Sequence, residues 1–140
     1  MKKILFSTFA LFLGLLVMTS CNKNQRAVKD LAGTWTVTDQ TYDGVSVPKE
    51  EFEGTTYTFN ECKVKKEDCT GSLTYNDPLK GSQTTAFTYS VSDKGETITM
   101  NMSFMGETET TVGDIEELTD SKFVFSSNED GTEIVTTMTK

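Results

Sequence analysis

Threonine alternating with large apolar residues restricts the fold of this chain more than any other feature. Phe87, Tyr89 and Val91 are interleaved with Ala86, Thr88 and Ser90, and Ile98, Met100, Met102 and Phe104 with Thr97, Thr99, Asn101 and Ser103. A period of two places the two sets on opposite faces of an extended strand, one toward a core and one toward water. Threonine suits the wet face because its branched Cβ favours the pleated backbone. These two segments form an antiparallel hairpin across Ser92-Asp93-Lys94-Gly95, where the glycine supplies the positive φ of a tight turn. The same pattern predicts strands at Gly33 to Tyr42, Thr55 to Asn60, Gly71 to Asn76, Glu107 to Ile115, Ser121 to Ser126 and Thr132 to Thr139. Turn residues separate them at Asp43-Gly44, Asn76-Asp77-Pro78, Met105-Gly106, Thr119-Asp120 and Asn128-Glu129-Asp130-Gly131. Cys62 to Cys69 is expected to add a small hairpin. No amphipathic helix of useful length is visible, and Asp30-Leu31 closes one short turn before the first strand.

The first 20 residues stand apart from this pattern. Met1-Lys2-Lys3 is basic, Ile4 to Met18 is apolar apart from Ser7, Thr8 and Gly14, and the small residues Thr19 and Ser20 follow. The run is shorter than the roughly 20 apolar residues needed to cross a bilayer and reads as a secretory signal peptide. Met18-Thr19-Ser20-Cys21 resembles a bacterial lipobox, with methionine where leucine is usual. The resemblance implies cleavage before Cys21 and a lipid on its sulfur, which makes the membrane a partner. Residues 21–29 are then the lipidated cysteine and a flexible polar tether, and residues 30–140 the folded domain. Asn22 lacks the aspartate associated with inner-membrane retention, and Asn22 to Lys29 lacks the acidic tract of surface-exported lipoproteins in Bacteroidetes. By resemblance, the first points to the outer membrane, and the second favours its periplasmic face over the cell surface.

Removing the head takes two lysines and no acid, so the net charge of -8 becomes -10. The mature domain is repelled by nucleic acid and by anionic membrane surfaces. It also retains two cysteines, Cys62 and Cys69, in an oxidising compartment. A disulfide between them is expected. Their spacing is not the Cys-x-x-Cys of redox catalysis, and zinc would need histidine, absent from the chain, or two more thiols.

Eight sequential antiparallel strands have two economical arrangements, a closed up-and-down barrel or a two-sheet sandwich, and periodicity does not choose. Asp30-Leu31-Ala32-Gly33-Thr34-Trp35 is similar to the Gly-x-Trp opening of lipocalins and related calycins. Ile115 to Phe125 resembles the penultimate hairpin of the small lipocalin-like lipoproteins of Bacteroidetes. The resemblance covers residues 30 to 140 and implies a short eight-stranded barrel whose tryptophan plugs the closed end, with the β-sandwich as alternative. One departure stands out. Many lipocalins pack an arginine over that tryptophan, but no arginine follows Arg26, leaving Lys140 or Lys122 as substitutes.

Read literally, the alternation turns Trp35, Val37, Tyr57, Phe59, Leu73, Tyr75, Phe87, Tyr89, Val91, Ile98, Met100, Met102, Phe104, Val112, Ile115, Leu118, Phe123, Phe125 and Val135 inward. If a ligand occupies the barrel, Trp35, Tyr57, Tyr75, Phe87, Tyr89, Met100, Met102, Phe104 and Phe123 are the candidate contacts for a small hydrophobic molecule. The competing reading is a core filled by these side chains, since an eight-stranded barrel is just wide enough for either. Shortness and bulk favour filling, with a shallow pocket at the open end. The acids offer no catalytic pair: Glu50, Glu51 and Glu53 lie in the first long loop, and local acid clusters are usually solvated. Serines have no histidine to activate them, and no metal or cofactor is implied. Two functions remain in view, a lipid-anchored envelope protein that binds a small apolar ligand and a non-catalytic scaffold or protein-interaction module.

Overall fold

The computed structural model describes residues 23–64 and 68–140. The expected signal peptide and the expected lipid anchor at Cys21 lie outside the described residues. The described residues form nine strands, β1 (Gly33–Tyr42), β2 (Val45–Ser46), β3 (Thr56–Phe59), β4 (Cys69–Asp77), β5 (Gly81–Ser92), β6 (Thr97–Phe104), β7 (Glu107–Leu118), β8 (Lys122–Glu129) and β9 (Thr132–Thr139), and apart from β2 they follow one another in space as they do in sequence. All neighbours are antiparallel, and β9 returns to pair with β1, which closes the sheet into an eight-stranded barrel with β2 as a short flap on β1. Closure rules out the sandwich.

Strand β1 makes closure possible by changing partners along its length. Gly33 to Thr36 pair with β3, whereas Thr36 to Tyr42 pair with β9, with a bulge between Val37 and Asp39. The bulge bends the strand so that one ribbon serves both edges of the seam. Beyond Thr36, the vacated edge is covered by β2 and the segment after it, which bonds through Val47 N to the Gln40 carbonyl and through Val37 N to the Thr55 carbonyl.

Antiparallel connection sorts the turns into two ends. One end gathers the entry to β1, residues 60–64, the β5–β6 turn at Asp93–Gly95, the β7–β8 turn and Lys140; the other gathers the 43–55 loop and the β4–β5, β6–β7 and β8–β9 turns. The first end is closed by a helix, α1 (residues 23–31), where a flexible tether was expected up to residue 29. Ala27, Val28 and Leu31 of α1 are buried, on one helical stripe. Polar side chains of the supposed tether complete the dock. Asn24 Oδ1 accepts from Gly95 N at 2.7 Å, and Gln25 donates to the Cys62 carbonyl while accepting from Val64 N. Folding α1 onto the barrel therefore gives partners to backbone groups of two turns.

Below mid-height the lumen is packed. Trp35, Phe59, Tyr89, Ile98, Met100, Phe123 and Met138 are essentially inaccessible. Phe59 sits at the hub, its ring 5.4 Å from Phe87, 5.1 Å from Tyr89 and 6.0 Å from Phe123, all edge to face. Small inward residues make room for these rings. Gly71 lies between Phe59 and Phe87 in register, and a Cβ there would stand 2.4 Å from the Phe87 ring and 2.5 Å from the Thr58 carbonyl. Gly113 does the same for Phe125, whose ring would be 3.0 Å from its Cβ. Alternating large and absent side chains is how a narrow barrel fills without voids.

Three expected inward residues are placed differently. Val112 is 54% exposed on the outer face, because Thr111 and Gly113 hold the inward positions on β7. Val135 also faces out, since Thr136 and Met138 are the buried residues of β9. Phe104 keeps the inward parity of β6 but sits at its last residue and is 36% exposed at the rim. No strand forms within the described part of Cys62 to Cys69 before Cys69 itself, which begins β4 and is bridged to Cys62 by a disulfide.

Candidate functional site at the open end of the barrel

The sequence-predicted ligand residues fall into two groups. Trp35, Phe87, Tyr89, Met100 and Phe123 belong to the packed floor. Trp35 is fully engaged there: its Nε1 donates to the Leu31 carbonyl at 2.7 Å, its ring meets Phe123 at 5.8 Å, and Lys140 Nζ lies 4.3 Å from the ring centroid. Lys140 thus takes the place expected of an arginine, also donating to the Asp30 carbonyl at 3.2 Å, whereas Lys122 pairs with Glu117. Tyr89 donates to the Asn60 carbonyl at 2.8 Å, and burial pushes its phenol up to about 12, with Glu61 adding to the shift. Residues held this tightly form a floor.

Tyr57, Tyr75, Met102 and Phe104 line the upper half of the lumen, and sequence reasoning missed their polar companions. After the bulge in β1, Gln40 turns inward opposite buried Thr136, and its Nε2 donates to Thr136 Oγ1 at 3.3 Å. Buried Ser127 faces Gly113 across β7–β8, and Thr111 is the next inward residue toward the rim. The wall therefore changes from rings to hydroxyls and an amide. Smaller side chains leave more room, and their polar atoms can orient what enters.

Tyr57 marks the junction. Its ring stacks at 6.2 Å from Phe59 and lies 6.2 Å from Phe87, so its apolar body belongs to the core. Its hydroxyl has no hydrogen-bond partner among the described residues. Burial pushes the phenol up to about 12, with the charges of Glu129 and Tyr42 contributing. Glu129 ends β8 and Tyr42 ends β1 at the mouth.

Charge follows the same division. Around the open end stand Asp43, Glu50, Glu51, Glu53, Asp77, Glu107, Glu109, Glu129, Asp130 and Glu133, with Lys49 and Lys80 the bases there. Lys49 is partnered by Glu53 at 3.8 Å. The remaining described bases, Lys23, Arg26, Lys29, Lys63, Lys94, Lys122 and Lys140, gather near α1 and the closed end. Over the mouth, the 43–55 loop buries Val47 and Phe52 and leaves Glu50 and Glu51 in water. Asp77 accepts from Leu79 N and Lys80 N at 2.8 and 2.9 Å, which holds its carboxyl below the usual range and fixes the β4–β5 turn. Among the described residues, no three acids or cysteines gather closely enough to hold a metal ion.

A family model for the lipocalin-like domain matches residues 31–125. The chain belongs to the lipocalin-like domain family. Its structure is similar to that of a lipocalin-like protein from Bacteroides uniformis, with a TM-score of 0.50 and 19% identity over 76% of this chain and 96% of that one. It is also similar to a redesigned beta barrel, with a TM-score of 0.57 and 16% identity over 82% and 95% of the two chains. At such identities the likeness concerns the fold alone. No curated protein matches the sequence. For a lipocalin-like domain, the end opposite the tryptophan plug is the natural place to seek a ligand, and here that end is where packing gives way to small and polar side chains.

Proposed function

We propose that this lipocalin-like protein is a lipid-anchored, non-catalytic envelope protein that binds a small, largely apolar molecule in the upper half of its barrel. One observation carries the reading: the lumen is closed by aromatic packing below Tyr57 and lined above it by Gln40, Thr111, Ser127 and Thr136, with the Tyr57 hydroxyl unpartnered among the described residues. Phe87, Met102, Leu73 and Phe104 supply apolar wall to the same space, and methionine adapts to ligand shape. The ligand sits shallowly, above a filled floor.

The anchor gives this site a direction. Residue 23 already belongs to α1 at the closed end, so a lipid on Cys21 is tethered by two residue steps, a reach of about 7 Å. The closed end, which carries most of the bases, then rests near the bilayer, and the acidic mouth faces away from it. Asn22 and the acid-free stretch after it support attachment at the periplasmic face of the outer membrane.

Titration of the purified domain with the uncharged fluorophore N-phenylnaphthylamine, competed by fatty alcohols and sterols, tests the cup. Binding in the micromolar range that is weakened by Tyr57→Ala or Thr111→Leu supports it, and absence of binding removes it. Mass analysis of the mature N-terminus tests the anchor, which an unacylated Cys21 would refute.

A second reading, a protein-interaction module, is favoured by one feature. The open-end turns expose Val45, Leu79 and Met105, which are 70%, 93% and 100% accessible. Apolar hairpin tips in an acidic surround suit a basic protein partner better than a membrane. Lack of small-molecule binding, together with a partner whose affinity falls on Leu79→Asp and Met105→Asp, would decide for it.

A further inference from the structure

The upper lumen has a polarity of its own. Glu129 continues the inward parity of Phe123, Phe125 and Ser127 on β8, and Glu109, opposite Met102, continues that of Gly113 and Thr111 on β7. Glu107, opposite Phe104, adds a third carboxylate two residues farther out on β7. None of the three has an ion pair or hydrogen bond among the described residues. No base answers them from the wall: among the described residues, Lys122 is the only lysine or arginine within any strand, and it faces outward to Glu117. Just beneath, the Tyr57 hydroxyl is unpartnered among the described residues, and the Tyr42 and Phe104 rings stand at the rim.

Aromatic faces beside unpaired carboxylates attract an organic cation and repel an anion. Resting on the cup proposed above, we infer that its ligand is a cationic amphiphile, an apolar body seated on Phe87, Met102 and Leu73 with an ammonium or guanidinium head held at the mouth by Glu129 and Glu109 among Tyr42, Tyr57 and Phe104. The Tyr57 hydroxyl accepts from an N–H head, or offers its ring to a quaternary one. The carboxylates lie at a wet rim, so each contributes modestly, and the preference comes from their number and from the missing counter-charge. The acids outside the barrel raise the local concentration of cations and do not select among their shapes.

The test uses three probes of equal chain length below their micelle concentrations: octyltrimethylammonium, octyl glucoside and octyl sulfate, each titrated into the folded protein by calorimetry and followed by shifts of the Met102 methyl resonance. The expected order is cation over neutral by about tenfold, with the sulfate weakest. Glu109→Gln with Glu129→Gln should reduce the cation preference about fivefold or more and leave the affinity for octyl glucoside unchanged. Glu133→Gln, on the outer face of β9, should change neither. Equal affinity for all three probes overturns the cationic ligand and leaves the cup standing. No binding of any probe overturns both. A loss from Glu133→Gln as large as that from the lumen pair shows that net charge acts and that the mouth does not, which also overturns the inference.

Discussion

The two ends of the barrel are made from one sequence rule and have opposite character. At the closed end the inward positions of the alternation carry Trp35, Phe59, Tyr89, Ile98, Met100, Phe123 and Met138, and α1 adds Val28 and Leu31 beneath them. At the open end the same positions carry Gln40, Thr111, Ser127, Glu109 and Glu129, and the connecting turns expose Leu79 and Met105. Strand geometry does not distinguish the ends, because register runs unbroken from one to the other in β4, β5 and β6. The difference lies in what occupies the inward position. Stability is therefore concentrated away from the proposed binding site.

The largest expected effect tests that division. Trp35→Ala removes a fully buried indole and its hydrogen bond to Leu31, and should cost about 3 to 5 kcal/mol. Thr136→Val keeps the shape of an upper-lumen residue while releasing Gln40, and should cost about 1 kcal/mol. Urea midpoints with unchanged slopes would measure both. Comparable losses would mean that the upper lumen contributes as much packing energy as the floor.

Next in size is the disulfide, which belongs to the closed end. A bridge across a sequence separation of 7 contributes about 2 to 3 kcal/mol by restricting the unfolded chain. The paired change Cys62→Ser and Cys69→Ser should lower stability by that amount and speed amide exchange at residues 60–64 and 69–71, leaving the open-end turns as they were. Uniform acceleration at both ends would break the comparison, since it would make the barrel a single cooperative unit.

How much of this is legible in the sequence depends on side-chain size at each inward position. Where large apolar residues keep one parity, as from Phe87 to Val91 and from Ile98 to Met102, strand, face and core follow directly. Ile134 and Val135 are adjacent, so two phases fit β9, and only the burial of Met138 selects the even one. On β7 the inward position is a glycine, because the Phe125 ring already fills that space, and Val112 draws the pattern to the wrong face. Helix α1 is hidden for a related reason. It buries Ala27, Val28 and Leu31 alone, a stripe too short to announce a helix in the sequence, and Asn24 and Gln25 add to its docking through backbone groups of other segments. The polar lining at the mouth is equally obscure, because Gln40 owes its inward direction to the β1 bulge, which no residue of Val37-Thr38-Asp39 announces.

Alkaline titration separates the ends through their buried tyrosines. Tyr57 and Tyr89 are both raised from 10.0 to about 12 in the folded protein. Below pH 10 folded and unfolded chains alike keep these protons, so stability does not change. Between pH 10 and 12 the unfolded chain loses protons that the folded one retains, and stability falls as pH rises, by on the order of 2 kcal/mol per tyrosine. Tyr57→Phe and Tyr89→Phe should each remove part of that slope. At neutral pH they should differ, because Tyr89→Phe deprives the Asn60 carbonyl of its donor at a cost of about 1 kcal/mol, whereas the Tyr57 hydroxyl has no partner to lose among the described residues. Equal neutral-pH losses would place a bonded hydroxyl at the mouth and count against a polar atom free for a ligand.

The smallest effect concerns how the closed end is sealed. Lys140 Nζ stands 4.3 Å from the Trp35 ring centroid and reaches the Asp30 carbonyl, and its stem packs against Gly33, where a Cβ would meet Lys140 Cε at 3.1 Å. A cation over an indole at a half-wet site contributes about 0.5 to 1 kcal/mol. Lys140→Met keeps the stem and removes the charge, so it should cost that amount and no more, whereas Lys140→Arg should match or exceed the native stability because a planar guanidinium stacks on the ring. A double-mutant cycle with Trp35→Leu isolates the charge–ring term, and the coupling should vanish in the leucine background. If Lys140→Met costs nothing while Lys140→Ala does, the seal is apolar contact of the lysine stem with Trp35 and Gly33. The basic character of the closed end would then matter for the surface beneath it and not for the barrel.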